Sequence, residues 1–372
     1  MRRITRLSAG LLAVLVWSCA TGGAKRVADR PDPLSRMEIL ARILVLEDSR
    51  SLGDGAIQGF LQQEDPAVRR RAVLAAGRIG DPLAIPRLVQ RLKDPEAEVR
   101  RAAAFALGLM GKAEGAPALL AALDDQDAAT RGRASEALGR IGQPSAGPAI
   151  AAAFRKALPP GSGAPLRIRG DDPGRADDPW VELRLHLVAL ARLKDPSSLA
   201  AAVLDSNSTP LVDWWVSAWA AMRVADSRLT PILLAAATAE DPYIRSLAAR
   251  GLGALKDPSQ LGVLRGLVDD RDPAVAREAL RAVGTIGTPE GAALAAAHLD
   301  SPNLALRREA LLALAALPSP ARWRPRVMDN VGHPDPWIRS AAWPALIRMD
   351  AEEVGIVLST IGPDGDWRVR RA

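Results

Sequence analysis

Apolar residues return along this chain at helical spacing. In the stretch from Pro66 to Ile79, Val68, Ala72, Ala75, Ala76 and Ile79 stand three or four residues apart and share one face, while Arg69, Arg70 and Arg71 fall largely outside it. Just ahead, Asp65 can accept from the free N–H groups of a helix start, and Pro66 sits where a missing N–H costs nothing. A shorter apolar face follows from Leu83 to Leu92, built of Ile85, Leu88, Val89 and Leu92, with Pro86 in its first turn and counterparts at Pro117 and Pro148. No stretch alternates polar and apolar with the β-branched and aromatic enrichment that strands need, and aromatics are only 3% of the residues, so the chain reads as all-α.

This pair of helices repeats. With the apolar residue before the Arg of Asp65-Pro66-Ala67-Val68-Arg69 as a ruler, the motif returns at Val68, Val99, Thr130, Val181, Val212, Ile244, Val275, Leu306, Ile338 and Val369, in steps of 31, 31, 51, 31, 32, 31, 31, 32 and 31. A period in that range marks a solenoid, whose units are too small to bury their apolar faces alone and do so by stacking. Gly77 and Gly80 recur as Gly108 and Gly111, Gly139 and Gly142, and Gly284 and Gly287. The later member suits a left-handed cap and the earlier one lets a neighbouring helix come close. A repeat array has no ceiling on core size, so 372 residues predict one continuous solenoid over 34–372.

The pattern Asp-Pro-x-Val-Arg-Arg-x-Ala-x-x-Ala-Leu-Gly-x-Ile-Gly, seen over Asp65–Gly80, Asp127–Gly142 and more loosely Asp272–Gly287, resembles the short HEAT repeats of the phycobilisome-lyase type over roughly residues 32–372. The resemblance implies an α-solenoid of about ten tandem helical hairpins in a right-handed superhelix, second helices inward. It also implies a structural Arg/Asp ladder between inter-helix turns, carried here by Asp65, Arg69, Asp94, Arg100, Asp127, Arg131, Asp241, Arg245, Asp335, Arg339, Asp366 and Arg370. The units at Val181 and Val212 depart from the pattern, lacking both the Arg after the ruler residue and the Gly pair. The run Ala41-Arg42-Ile43-Leu44 with Glu47-Asp48-Ser49-Arg50 resembles the front of bacterial proteins in which a HEAT array precedes a cyclophilin-type prolyl isomerase domain. No cyclophilin residues are present, so any such activity would belong to a segment outside this chain.

The start of the chain has a different character. Arg2, Arg3 and Arg6 precede an uncharged run from Leu7 to Trp17, a basic n-region and an apolar h-region too short to span a bilayer as a permanent helix, so residues 1–18 read as a cleaved signal peptide. Cys19 is the only cysteine, which excludes an intramolecular disulfide. Val16-Trp17-Ser18-Cys19 resembles the lipobox of bacterial lipoproteins, with Trp17 a bulky departure; the resemblance implies lipidation of Cys19 and a tether over 19–33. Ala20 rather than Asp after the Cys favours the outer membrane, facing the periplasm, by the same analogy. A free Cys at the end of an ordinary signal peptide is the other reading. The formal charge of +6 loses three Arg with the leader, leaving 6 − 3 = +3. Near neutrality and repeat-locked arginines speak against nucleic acid as partner.

Departures from the repeat's own rule are where a site would show. The long step inserts about 20 residues (159–178) rich in Pro, Gly and Asp, either a disordered-type loop or, from its four Asp, a calcium site, although the spacing matches no EF-hand pattern. Trp214 and Trp215 align with the outward Arg70 and Arg71, which makes them a candidate partner-binding pair unless the helix is rotated to bury them. Trp180, Leu211, Tyr243 and Trp337 stand just before the ruler position, where other units have Ala; they form an aromatic ridge or each packs down on the adjacent turn. His186, His298 and His333 lie far apart, none beside Glu, so the paired His-Glu motifs of metal-binding HEAT hydroxylases are missing. Nothing argues for an activated Ser or a phosphate-binding loop. The expectation is a non-enzymatic scaffold for a protein partner, held at the cell envelope, without metal or cofactor.

Overall fold

The computed structural model describes residues 35–161, 165–171, 178–318, 321–349 and 364–371. Residues 1–34, with Cys19 and the proposed tether, lie outside them, as do 162–164 and 172–177 of the insertion.

The described chain is a two-layer stack of helices, an all-α solenoid. One layer is made of long helices, α3 (Pro66–Ile79), α5 (Ala97–Met110), α7 (Ala128–Ile141), α9 (Val181–Leu193), α11 (Trp215–Val224), α13 (Pro242–Leu255), α15 (Pro273–Ile286), α17 (Leu304–Ala316) and α19 (Pro336–Met349), each packed on the next. Helix α1 (Arg36–Asp48) packs on α3 at one end and α20 (Trp367–Arg371) on α19 at the other. The second layer holds short helices: α2 (Ala56–Phe60), α4 (Ile85–Arg91), α6 (Ala116–Ala121), α8 (Gly147–Ala157), α10 (Pro196–Val203), α12 (Thr230–Ala237), α14 (Leu261–Val268), α16 (Pro289–Ala296) and α18 (Arg324–Val331). A single apolar spine from Ile39 to Val369 runs between the layers.

The capping chemistry read from the sequence sets the helix starts. Asp65 accepts from Ala67 N at 2.8 Å, Asp241 from Tyr243 N at 2.8 Å and Asp272 from Ala274 N at 2.8 Å, each followed by Pro at the first helical position. Gly80 ends α3 at φ 78°, a left-handed conformation that L side chains adopt only under strain. Pro344 is accommodated inside α19.

Two expectations change. The left-handed caps at Gly142, Lys194, Ala225 and Lys256 are 52, 31 and 31 residues apart, so the long step is 52 and the ruler of the two irregular units moves by one residue, to Glu182 and Asp213. Helix contacts give the same shift. A Cβ on Gly108 would lie 2.8 Å from Cα of Ala137, 29 residues on, and one on Gly139 would lie 2.8 Å from Cα of Ala189, 50 residues on.

The described part of the insertion also takes regular structure. Leu166–Arg167 forms a short strand, β1, parallel to β2 (Val212–Asp213), with Leu166 N donating to Leu211 O at 2.8 Å and Ile168 N to Asp213 O at 3.2 Å. Ile168 is buried beneath them. Val212, taken as a helical ruler residue, is therefore in a strand.

Candidate interaction surface

The regular units are joined by a ladder of guanidinium groups. In most of them the Arg that follows the ruler residue lies under the turn that opens its own helix and reaches the turn of the next unit; α15 carries Ala276 there instead. Arg69 donates to both carboxylate oxygens of Asp94 at 2.9 and 2.8 Å and to the carbonyls of Gln63 and Glu64 at 2.8 and 2.7 Å. Arg100 treats Asp125 the same way, Arg245 Asp270 and Arg339 Asp364, with closest approaches of 2.8, 2.7 and 2.7 Å. The acceptors are mostly not the capping acids expected from the sequence. Asp65, Asp127, Asp241, Asp335 and Asp366 instead cap helices, their carboxylates accepting from backbone N–H groups two or three residues on. The carboxylates that meet the ladder stand two residues earlier still, at Asp125, Asp270 and Asp364, and of the expected set only Asp94 is one of them. Arg131 meets Glu182 at 2.5 Å, and Arg370 donates to the carbonyls of Asp364 and Gly365.

The electrostatics follow from this geometry. The Arg245 hydrogen bonds hold Asp270 below the ordinary carboxylate range, against an opposing push from burial. At Asp94 burial is the larger influence and pushes up, but hydrogen bonds from Arg69 and from Glu96 N, with the charges of Arg69 and Arg91, outweigh it.

The corrected register places Leu183 and Trp214 in the ladder slot of the two irregular units. Trp214 is 1% exposed, its Nε1 is buried with no hydrogen-bond partner, and the residue 25 positions on is Ala239 in place of an Asp. A buried ring cannot present itself to a partner, so Trp214 leaves the candidate binding pair. Where the ladder is missing a cleft of about 620 Å³ opens, lined by Arg167 and Arg169 of the insertion, Trp214, Ile232 and Glu240 among others.

The slot one residue further along forms a second row. Arg70 lies 3.9 Å from Glu98, Arg101 2.8 Å from Asp127, and Arg184 3.3 Å from Asp171 and 2.5 Å from Asp178. Trp215 belongs to this row and its Nε1 donates to Asp171 at 3.0 and 3.1 Å. The insertion is thus clasped by its acids. Trp215 also joins Trp214 and Tyr243, with ring centroids 6.4 and 6.3 Å away. Tyr243 is 53% exposed and Trp337 49%, whereas Trp180 is half-buried against the core. Trp337 lies between Arg308 and Arg368, whose guanidinium carbons are 5.4 and 5.0 Å from the ring centroid.

One constellation was not read from the sequence. Ser135 Oγ lies 2.6 Å from His186 Nδ1, and His186 Nε2 lies 3.5 Å from Glu182 Oε1, the order of a Ser-His-acid set. Burial pushes the Glu182 carboxyl up, yet bonds from His186 and Arg131 outweigh it and hold it low. Ser135 and His186 are fully buried between α7 and α9, so this contact joins helices and offers no path to a substrate. The partners are 51 residues apart and become neighbours only through the insertion's step. Among the described residues no group of three or more His, Cys, Asp or Glu is placed to hold a metal, and no helix is long and apolar enough to cross a membrane.

The model of HEAT repeats matches residues 31–98, 85–160, 230–315 and 291–372. The chain belongs to the HEAT-repeat family. The gap between the matched stretches, 161–229, holds most of the insertion and the two irregular units of this HEAT array. Among solved structures it is similar to Kap95p in a structure with RanGDP (14% identity, 91% of this chain and 52% of that one, TM-score 0.56). It is similar also to Kap121p (13%, 90% and 40%, TM-score 0.53). A weaker likeness is to the CpcE–CpcF complex of the phycocyanin lyase from Nostoc sp. PCC7120 (18%, 89% and 99%, TM-score 0.34). At these identities the likeness is one of fold. Curated proteins give no significant match.

Proposed function

We propose that this HEAT solenoid is a non-enzymatic scaffold that holds a protein partner on the face made by its long helices. It is tethered to the cell envelope through lipid on Cys19. The observation that carries the reading is the row of long-helix starts on which Tyr243 and Trp337 stand half exposed, Trp337 with the Arg308 guanidinium over its ring, since aromatic and Arg side chains dominate binding energy at interfaces. Kap95p, of similar fold, is named with RanGDP as its bound partner, which is consistent with a solenoid face serving in this way.

Site-specific photocrosslinking tests the face. A photoreactive side chain at Tyr243 should give adducts with a discrete protein in cells of the source. The same group at Leu83, which is 75% exposed on the turn before α4 in the short-helix layer, should not. Adducts of equal yield at both positions, or none at Tyr243, would refute the assignment of the face.

A further inference from the structure

In the second row each guanidinium of the N-terminal units approaches a carboxylate of its own chain. Arg101 reaches Asp127, the N-cap of the next long helix, and Arg184 reaches Asp171 and Asp178. Two members of the row break this rule. Arg277 on α15 and Arg308 on α17 make no ion pair among the described residues, and the Nε atom of each is buried without a hydrogen-bond partner. The cause is local. The cap that follows Arg277 is Asn303, which is neutral and accepts from Ala305 N and Leu306 N. The cap that follows Arg308 is Asp335, whose carboxylate accepts from Trp337 N at 2.7 Å, while Arg308 lies over the Trp337 ring. The other carboxylates on this face are already engaged: Glu278 by Arg250 and Arg281, and Glu309 by Arg281 at 2.8 Å.

Half-buried guanidinium groups without an anion are electrostatically incomplete. Beside them the starts of α17 and α19 enclose a hollow of about 440 Å³ lined by Leu304, Ala305, Arg308, Asp335, Trp337 and Ile338, with Leu304 and Trp337 exposed. The molecule itself shows what such a row receives. Asp171 of the insertion is held jointly by Arg184 and by the Nε1 of Trp215, an acid between a guanidinium and an indole.

We propose that Arg277, Arg308 and Trp337 form the contact site for an acidic segment of the partner polypeptide, with carboxylates on the two guanidinium groups and an adjacent apolar side chain in the hollow beside Trp337. The site rests on the scaffold reading above and specifies its partner's chemistry. The stacked arrangement suits a peptide, because an aliphatic side chain fills the hollow while its neighbours reach the Arg pair.

Fluorescence anisotropy with a labelled peptide of alternating Glu and Leu, about twelve residues long, tests this on the whole chain. Its binding should weaken at least tenfold in Arg277→Gln plus Arg308→Gln and severalfold in Trp337→Ser, and should fall as salt is raised, since exposed charges are screened over about 8–10 Å. Gln keeps the aliphatic stem, and an unchanged melting transition verifies the fold. The site is overturned by unchanged affinity in the double variant, by equal binding of the Lys and Leu counterpart, by tighter binding of an oligothymidylate, or by no binding of the Glu and Leu peptide. Persistence of the Tyr243 crosslink in the double variant, together with any of those results, would leave the scaffold standing and remove only this site.

Discussion

Replacing Asp270 by Asn probes the ladder where both partners are well enclosed. The two side chains are 8% and 9% exposed, Arg245 meets both oxygens at 2.7 and 2.8 Å, and the same guanidinium donates to the carbonyls of Ala239 and Glu240 at 2.8 Å. Removing one partner of a fully enclosed pair costs about 3–5 kcal/mol. Here the two carbonyls keep part of the guanidinium satisfied, so the expected loss is smaller, about 2–3 kcal/mol by the scale of charged hydrogen bonds. In a solenoid the interface terms are nearest-neighbour, so the loss should fall on the joint between α13 and α15. Native-state hydrogen exchange reads it: amides of α13–α15 should exchange about 30- to 150-fold faster, since each 1.4 kcal/mol is tenfold, while those of α3–α5 keep their rates. The sign of the pH dependence is fixed by the direction of the shift. Asp270 is depressed in the folded chain, so its contribution is complete above the unfolded value of about 3.9 and is lost as pH falls through the lower folded value. The gap between wild type and Asp270→Asn should therefore be constant from pH 5 to 8 and close below about pH 4. A gap under about 0.5 kcal/mol at neutral pH, the level of an ordinary surface substitution, or a change spread evenly over all units, would refute the ladder as a joint between neighbours.

Gly139→Ala would set a Cβ 2.8 Å from the Cα of Ala189, a backbone atom that cannot swing aside, so denaturant unfolding should show a loss of about 1–3 kcal/mol; an unchanged midpoint would mean that α7 and α9 are not in this register. For the anchor, a metabolic lipid label should mark the wild-type chain and fail to mark Cys19→Ser, and equal labelling of both would end the tether proposal.

How much of this was legible beforehand depended on whether a feature obeys the repeat or interrupts it. The all-α solenoid follows from the apolar spacing and from Asp-Pro starts, because those are local rules that each unit satisfies within its own residues. Ladder acceptors were harder to read. Asp125 and Asp127 are chemically identical and two residues apart, and only the turn geometry decides that one meets Arg100 while the other caps α7. The largest difference came from aligning the irregular units on residue type. Val181 and Val212 look like ruler residues, but register in a stack is held by close contacts such as Gly139 on Ala189 and by left-handed caps, which Lys194 and Ala225 supply without glycine. A shift of one residue turned Trp214 from an outward side chain into the occupant of the ladder slot.

The same shift changes what the two tryptophans mean. With Trp214 filling the place of a ladder Arg, no ion pair among the described residues crosses the joint between α11 and α13, and the insertion instead ties α9 to the start of α11: Arg169 donates to Asp213, and Asp171 is gripped by Arg184 and Trp215. The insertion is therefore a brace for the units that lost their ladder, which explains why a Pro- and Gly-rich segment contributes a strand and a buried Ile168. Binding capacity then passes to positions where guanidinium or aromatic groups remain uncompensated by the chain's own residues. Arg277 and Arg308, each with a buried Nε lacking a hydrogen-bond partner, meet that criterion; Tyr243 and Trp337 add half-exposed rings beside them on the long-helix starts, and Trp214, buried, adds none.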